Sequence, residues 1–377
     1  MMKAINPFVV SGAIPHEYFC DRVNESEQLE KALCNQLNVV LTSARRMGKT
    51  SLVDHVFNQP SIKDNYITIS VDILHTTTFR EFIFALGTAV FDRVASRSDK
   101  WRKLFITLLK SLSASFGYDP VQNTPTFDVK LGDIQQPDYT LREIFEYLEA
   151  VDCRCLVVID EFQQITRYPE KNVEALLRTY IQKLANVNFV FSGSRRRMME
   201  EMFFSAKRPF YQSAKPLRLE PIECAVYYDF ASRLFDEADK KLSREAFEYV
   251  YETFRGVTFY VQRQMKDAFM DTPAGATCDK ETVCRLIEDY IAENDSHIRE
   301  QLAFITEAQK ELLYAIHEEG QVQSITSSAF NRRHRLRSPS STQSAALKLL
   351  EYDLITRKEK VYSLSDPLMS LWLDRNL

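Results

Sequence analysis

The sequence predicts an α/β domain with a parallel β-sheet, followed by a helical domain and a C-terminal winged helix-turn-helix. Three observations lead to this fold class. Apolar runs alternate with segments of helical spacing over residues 1–222, the pattern is almost wholly helical over 223–300, and residues 301–377 read helix, helix, helix, hairpin, helix. Alternating strands and helices predict a parallel sheet, because each crossover helix returns the chain to pair in the same direction.

The α/β domain contains four predicted strands separated by helices. The strands span residues 37–41, 66–74, 155–159 and 188–191, and the helices span residues 51–58, 78–94, 141–150 and 174–184. The run 155–159 shows no alternation of apolar and polar residues, as expected for a strand that is covered on both faces.

Residues 98–140 interrupt this order and are predicted to be an insertion. Apolar residues recur at helical spacing from Trp101 to Leu112, and a short strand is predicted at residues 127–131. An amphipathic helix of this kind could lie on a membrane surface. We favour the alternative that its apolar stripe covers a sheet face or a partner.

Composition excludes several classes of protein. The chain has 377 residues, of which 45% are hydrophobic and 27% charged, so about two or three domains with cores of their own are expected rather than disorder. The formal net charge of −4 argues against a globally basic surface for nucleic acid. Seven scattered cysteines predict reduced thiols in the cytoplasm. The sequence predicts no transmembrane helix.

A phosphate-binding loop is predicted between the first strand and its helix. The motif and the residue after it are Ser43, Ala44, Arg45, Arg46, Met47, Gly48, Lys49, Thr50 and Ser51. Ser43 stands where the first glycine of this motif is usual, but the strand before it and the helix after it supply the required context. Helix N-terminal N–H groups attract anions, Lys49 would bridge the β- and γ-phosphates, and the Thr50 hydroxyl would ligate Mg²⁺.

An acidic pair follows the buried strand at 155–159. Asp160 and Glu161 are adjacent carboxylates at the end of an apolar run, a costly arrangement unless a cation or water uses them. We predict that Asp160 holds Mg²⁺ through water and that Glu161 acts as the general base for the attacking water.

Polar residues also end the strand at 188–191. Ser194 is placed to reach a γ-phosphate, and Arg195 to stabilise charge that develops on it. A solvated turn or a salt-bridge cluster is the alternative for the run from Arg195 to Arg197. The chain has no Asn-Lys-x-Asp motif for reading guanine, which favours ATP over GTP.

These motifs resemble those of the STAND-like branch of AAA+ ATPases, and in particular of the archaeal-type ATPase families of prokaryotes. The similarity covers nearly the whole chain. The pair Arg45 and Arg46 is characteristic of the family's phosphate loop, Ser194 matches its sensor strand end, and Arg195 matches the sensor arginine of the related NB-ARC branch.

Two further segments are similar to motifs of this family. Phe19-Cys20-Asp21-Arg22, with Glu25 behind it, looks like the N-terminal motif whose backbone borders the adenine, which implies that Arg22 belongs to the nucleotide site. The family's helical lid carries a Gly-x-Pro turn that contacts nucleotide. Gly256 occupies that place here, with Thr258 instead of the proline.

The resemblance implies an AAA+-like P-loop NTPase core at residues 1–222, a helical lid at 223–300 and a winged helix at 301–377. Such a protein binds ATP with Mg²⁺ and works as a switch, because the contacts of the γ-phosphate differ between the ATP and ADP forms. Glu161, Lys49 and Arg195 are the expected catalytic residues.

The winged helix carries a basic segment that could contact DNA. Residues 331–360 contain eight basic and three acidic residues, a local net charge of +5. The candidate phosphate contacts are Arg332, Arg333, Arg335, Arg337, Arg357 and Lys358. They lie before the predicted recognition helix and at the wing tip, where such contacts are expected. Packing against protein is the alternative for this module.

Two rival functions remain open at this level. One is an ATP-regulated DNA-binding protein in which hydrolysis is incidental. The other is a signalling or defence scaffold that oligomerises through its ATPase core, with Arg195 to Arg197 acting across a subunit interface.

Overall fold

The computed structural model describes residues 6–12, 14–111, 116–119, 124–127 and 130–377, which form two compact units. One unit consists of residues 11–222, and the other joins residues 6–10 to residues 223–377. The sequence assigned the first ten residues to the α/β domain. They belong to the other unit because the Asn6 side-chain amide donates to the Lys266 carbonyl at 2.9 Å and the buried Phe8 ring packs against Phe230 and Phe235.

The unit of residues 11–222 is an α/β fold. Its strands are β1 (Val39–Thr42), β2 (Tyr66–Asp72), β3 (Phe116–Asp119), β4 (Thr124–Phe127), β5 (Arg154–Asp160), β6 (Val187–Gly193) and β7 (Lys215–Arg218). Its helices are α1 (Val23–Cys34), α2 (Lys49–Phe57), α3 (Pro60–Lys63), α4 (Phe79–Arg93), α5 (Asp99–Leu108), α6 (Pro137–Ala150), α7 (Val173–Ile181) and α8 (Arg196–Phe204).

A five-stranded parallel sheet forms the centre of this unit, in the order β2-β5-β6-β1-β7. All four residues of β1 and the five inner residues of β5 are buried, as expected for strands with helices on both faces. The fifth strand, β7, was not predicted from the sequence. Only Leu217 of its four residues is buried, and Pro216 is tolerated because β7 lies at the sheet edge.

The insertion differs from its predicted form. The strand expected at residues 127–131 is displaced: β4 ends at Phe127 and pairs with β3, and Leu131–Asp133 is a 3-10 turn. Residues 128 and 129 lie outside the described residues. Helix α5 ends at Leu108, four residues before the predicted end.

The apolar stripe of α5 packs into the core of this unit. Phe105 is fully buried, and Trp101, Leu104 and Leu108 pack against the same core as α4 and α6. The stripe is therefore buried within this unit, with Phe105 against the rings of Phe91 in α4 and Tyr147 in α6. That it covers a sheet face stays a prediction. Among the described helices, none is both long enough and apolar enough to cross a bilayer.

The second unit is mostly helical. Its helices are α9 (Cys224–Asp236), α10 (Arg244–Thr253), α11 (Thr258–Asp271), α12 (Lys280–Glu293), α13 (Asp295–Ala303), α14 (Glu307–Glu319), α15 (Ser328–Arg333), α16 (Pro339–Glu351) and α17 (Pro367–Asn376). Its strands are β8 (Lys241–Leu242), β9 (Thr277–Cys278), β10 (Ile355–Lys358) and β11 (Val361–Leu364). Strands β10 and β11 form the antiparallel wing, so the predicted winged helix is confirmed.

The helical segment and the winged helix belong to one compact unit, although the sequence divides them at residue 300. The Tyr260 hydroxyl of α11 donates to Asp366 at 2.6 Å, just before α17. Within α17, the Trp372 indole N–H donates to Asp295 of α13 at 2.9 Å. Side chains of the winged helix thus complete the packing of the helices before it.

Candidate active site

The predicted site residues follow three neighbouring strands of the sheet. Strands β5, β6 and β1 are adjacent and parallel, with Ile159 paired to Phe191 and Leu41 paired to Ser192. Because parallel strands end at the same edge, the phosphate-binding loop, the acidic pair and the polar end of β6 share the carboxyl edge. The sequence placed them on separate strands, and the sheet order brings them together.

The phosphate-binding loop owes its shape to two residues in the left-handed region. Gly48 has φ 85° and Arg46 has φ 65°. A Cβ at position 48 would meet nothing within 4 Å, so backbone conformation rather than space requires the glycine there. No side chain caps the following helix α2. Its first N–H groups, at Lys49, Thr50 and Ser51, are therefore oriented toward an anion that would sit over the loop.

Lys49 is a buried cation in this loop. Its side chain is 8% exposed, and Nζ donates to Ser43 Oγ at 3.3 Å. Burial lowers the pKa of Lys49, with a smaller contribution from Arg45, while Glu161 and Asp160 oppose that shift. A buried ammonium with no ion-pair partner among the described residues is costly, and a bound anion would stabilise it.

Thr50 and Asp160, the two predicted metal ligands, meet in the structure. Thr50 Oγ1 donates to Asp160 Oδ2 at 3.2 Å across 110 residues of sequence. The other carboxylate oxygen of Asp160 accepts the backbone N–H of Glu161 at 3.0 Å. A hydroxyl and a carboxylate at this separation are the hard oxygen donors that Mg²⁺ prefers, so the residues present fit that ion.

Glu161 is held by two donors from within the protein. It lies in the left-handed region with φ 55°, a conformation that costs free energy and is concentrated at functional sites. Ser194 Oγ donates to Glu161 Oε2 at 2.7 Å, and Gln163 Nε2 donates to the same oxygen. Ser194, predicted to reach a phosphate, thus contacts the predicted base. Sequence reasoning missed Gln163, although its position after the acidic pair was visible.

The three arginines after β6 have different environments. Arg195 is half-buried and immediately precedes α8 at the carboxyl edge of the sheet. Arg196 forms ion pairs with Glu200 at 3.1 Å and Glu220 at 3.2 Å, so the salt-bridge alternative is correct for this residue. Arg197 is exposed.

Arg22 is a buried structural link between the loop and the segment after β7. Its side chain is 5% exposed and donates to the Glu220 carbonyl at 2.7 Å, the Met47 carbonyl at 3.2 Å and the Glu25 carboxylate at 2.9 Å. The guanidinium has several donors in a rigid fork, which allows one side chain to bind all three acceptors. Arg22 therefore fixes the backbone of the phosphate-binding loop.

Gly256 lies in the other compact unit, between α10 and α11. It has φ 66°, and its N–H donates to the Tyr251 carbonyl at 2.8 Å. Helix α10 thus ends in a Schellman motif, in which Arg255, with φ 53°, is the left-handed residue and Gly256 follows it. Its contact with nucleotide stays a prediction.

The basic segment of the winged helix is partly neutralised. Arg333 pairs with Glu319 at 2.6 Å, Lys348 pairs with Glu351 at 2.9 Å, and the Arg357 guanidinium lies 5.2 Å from the centre of the Tyr362 ring. Five other basic residues before the recognition helix or in the wing are exposed: Arg332, Arg335, Arg337, Lys358 and Lys360.

Two family descriptions match this chain. Residues 19–263 match the ATPase domain predominantly from Archaea, and residues 297–375 match a probable winged helix domain. The first match covers the loop, the acidic pair, the end of β6 and Gly256. A comparison with curated proteins finds no match.

Solved structures with a similar fold align with nearly the whole chain. The Walker-type ATPase of Pyrococcus abyssi aligns with a TM-score of 0.68 and 17% identity, covering 98% of this chain and 99% of its own. The ORC2 protein of Aeropyrum pernix, solved as ADPNP-ADP complexes, aligns with a TM-score of 0.58 and 14% identity, covering 99% and 97%. The ORC1 protein of Aeropyrum pernix, solved in complex with DNA, aligns with a TM-score of 0.55 and 14% identity, also covering 99% and 97%.

Proposed function

Because this chain belongs to the family of ATPase domains found predominantly in Archaea, we propose that it is a Mg²⁺-dependent ATPase of the STAND type, a switch set by its bound nucleotide. The observation that carries the proposal is the meeting of Lys49, Thr50, Asp160 and Glu161 at one sheet edge. A buried cation, an uncapped helix N-terminus and a hydroxyl–carboxylate pair are complementary to a nucleoside triphosphate with its metal ion.

Each group has a distinct part in the proposed reaction. The amides and side chains of residues 43–51 bind the phosphates, and Lys49 neutralises charge on the β- and γ-phosphate oxygens. Thr50 and Asp160 would hold Mg²⁺, which supplies Lewis-acid stabilisation of the same oxygens when bound. Glu161 orients a water and takes its proton, and Arg195 stabilises the charge that develops on the transferred group.

The test compares two glutamate variants. Glu161→Gln keeps the shape of the side chain but removes the base, so it is expected to bind ATP like wild type and to lose turnover by about 10²- to 10⁴-fold. Glu27→Gln, on the exposed face of α1, is the matched control and should leave both quantities unchanged. Phosphate release and equilibrium ATP binding are measured on the same preparations. Unchanged hydrolysis by Glu161→Gln would remove the general-base assignment.

A second candidate function is DNA contact by the winged helix. Arg335 and Arg337 are exposed and form no ion pair with any residue in the described part of the chain, and the similar ORC1 protein was solved with DNA. We propose weak binding to duplex DNA, mainly through phosphates. A mobility-shift titration at two salt concentrations tests this. No shift at low salt would exclude it.

A further inference from the structure

Gln163 has a buried amide whose placement the proposed reaction does not yet explain. It lies in the 3-10 turn Phe162–Arg167, two residues after Glu161, and is 4% exposed. Its Nε2 donates to Glu161 Oε2, the oxygen that also accepts the Ser194 hydroxyl at 2.7 Å. Two donors from different strand ends therefore converge on one carboxylate oxygen.

Gly193 leaves the space that Gln163 occupies. A Cβ at position 193 would overlap Gln163 Oε1 and would lie 2.6 Å from Met199 Cγ. Gly193 is not among the residues with positive φ, so its backbone conformation is open to any residue. The requirement for glycine at this strand end is therefore one of space, and the side chains that fill the space are Gln163 and Met199.

The amide is held in this position at a cost. Gln163 Oε1 is buried and accepts no hydrogen bond from the described residues, and a buried carbonyl without a donor lowers stability by about 1–3 kcal/mol. An apolar side chain of similar size would avoid that cost. The other half of the same amide makes one contact, with Glu161, and this contact is the gain that offsets the loss.

We propose that Gln163 is a positioning residue for Glu161, admitted to the site by Gly193, and that together with Ser194 it fixes the carboxylate that activates water. This inference rests on the proposed ATPase function. Glu161 has a left-handed backbone at the end of β5, and the two side-chain donors restrict the rotamers that remain. Precise placement of a general base contributes to kcat rather than to nucleotide binding.

The first experiment separates positioning from packing. Gln163→Met keeps the side-chain length but removes the donor, and it is expected to lower kcat by about 10-fold or more with the ATP Kd unchanged. The matched control is Gln164→Met, whose amide donates instead to the Thr76 carbonyl at 2.9 Å. It should leave kcat unchanged. A kcat for Gln163→Met within about twofold of wild type would overturn the proposal.

A charged variant gives a readout that packing alone would not produce. Gln163→Glu places a second carboxyl against Glu161, and two such groups titrate as a pair. The introduced carboxyl can donate as the amide does only while it is protonated, so the optimum of kcat is expected at more acidic pH than in wild type. An optimum that stays in place while kcat falls would assign Gln163 a structural role only.

A double-mutant cycle tests the placement without any hydrolysis. Gly193→Ala is expected to lower the Tm of the nucleotide-free protein by several degrees. In a Gln163→Ala background the loss should be clearly smaller, because the overlap with Gln163 is gone and only the contact with the Met199 side chain remains. Equal losses in both backgrounds would overturn the part assigned to Gly193. If wild type shows no ATPase activity, the proposed function fails while this cycle still decides the placement.

Discussion

Charge is used differently in the two regions that the sequence marked as functional. At the carboxyl edge of the sheet, Lys49 and Arg22 are buried. Lys49 donates to Ser43 of its own loop, and Arg22 donates to the Glu220 carbonyl 198 residues away. In the winged helix, the basic residues are exposed or half-buried, and Arg333 and Lys348 are neutralised by neighbours in the same module.

The difference separates charges that fix a site from charges that attract a partner. A buried cation keeps its position and interacts strongly, because little water screens it. An exposed arginine is screened, and its contact with a glutamate contributes little free energy. Substitutions should therefore have large and specific effects at the sheet edge and small, salt-dependent effects in the winged helix.

The largest effect is expected from Lys49→Ala. Removal of the buried ammonium eliminates charge-assisted hydrogen bonds to the phosphates, so ATP affinity should fall by at least about 100-fold. Lys63→Ala, an exposed lysine at the end of α3, is the control and should bind ATP normally. Equilibrium binding of a fluorescent ATP analogue measures both. Similar affinities for the two variants would contradict the placement of the phosphates at the loop.

Arg22→Lys is expected to have the next largest effect. Lysine retains the charge but lacks the rigid fork that reaches the Glu220 and Met47 carbonyls. ATP affinity should fall by about 10-fold, and thermal unfolding should shift down by about 2–4 °C for each kcal/mol lost. Arg142→Lys, at an exposed ion pair with Glu146, is the matched control. A stable Arg22→Lys with normal affinity would show that the loop holds its shape unaided.

The pH dependence of binding gives a smaller effect. Burial lowers the pKa of Lys49, and phosphate oxygens favour the charged amine, so bound nucleotide raises that pKa and binding takes up a proton. ATP affinity should decline as pH rises, beginning below the value of about 10.4 typical of an exposed lysine. Lys49→Arg should remove this dependence because arginine stays charged. Calorimetric titration at several pH values measures the ATP affinity of wild type and of Lys49→Arg. The same pH dependence in both proteins would contradict this expectation.

The smallest effects concern the winged helix. Arg337→Ala removes an exposed charge, so the slope of log K against log salt for duplex DNA should fall by about one. Arg333→Ala should change the slope less, because Glu319 already binds that guanidinium at 2.6 Å. Fluorescence anisotropy at a series of salt concentrations compares the two. A larger change for Arg333 would reverse the distinction between paired and unpaired charges.

Most of the site could be predicted from the residues that follow the predicted strands. The loop, the acidic pair and the polar end of β6 each follow an apolar run, and parallel pairing is enough to bring them to one edge. The run from Cys155 to Ile159 is buried as its lack of alternation indicates. The winged helix could also be predicted from the sequence, because its order of helices and strands is distinctive and lies in one continuous segment.

Contacts over long separations could not be predicted. Arg22 binds a carbonyl 198 residues away, and no local pattern specifies such a partner. Strand β7 has a single buried side chain, Leu217, so it gave no periodic signal. Gln163 was visible in the sequence, but the direction of its side chain depends on the missing Cβ at Gly193.

The packing of Phe8 has a consequence for synthesis of the chain. Asn6 and Phe8 leave the ribosome before residues 11–222, yet Asn6 binds the Lys266 carbonyl 260 residues later and Phe8 packs against the ring of Phe269. The C-terminal unit cannot finish folding around this segment until residues 11–222 have been translated. Since domains generally fold in order of emergence, we expect residues 6–10 to stay unpacked while residues 11–222 fold. A proteolytic cut in this segment at that stage would remove part of the other unit.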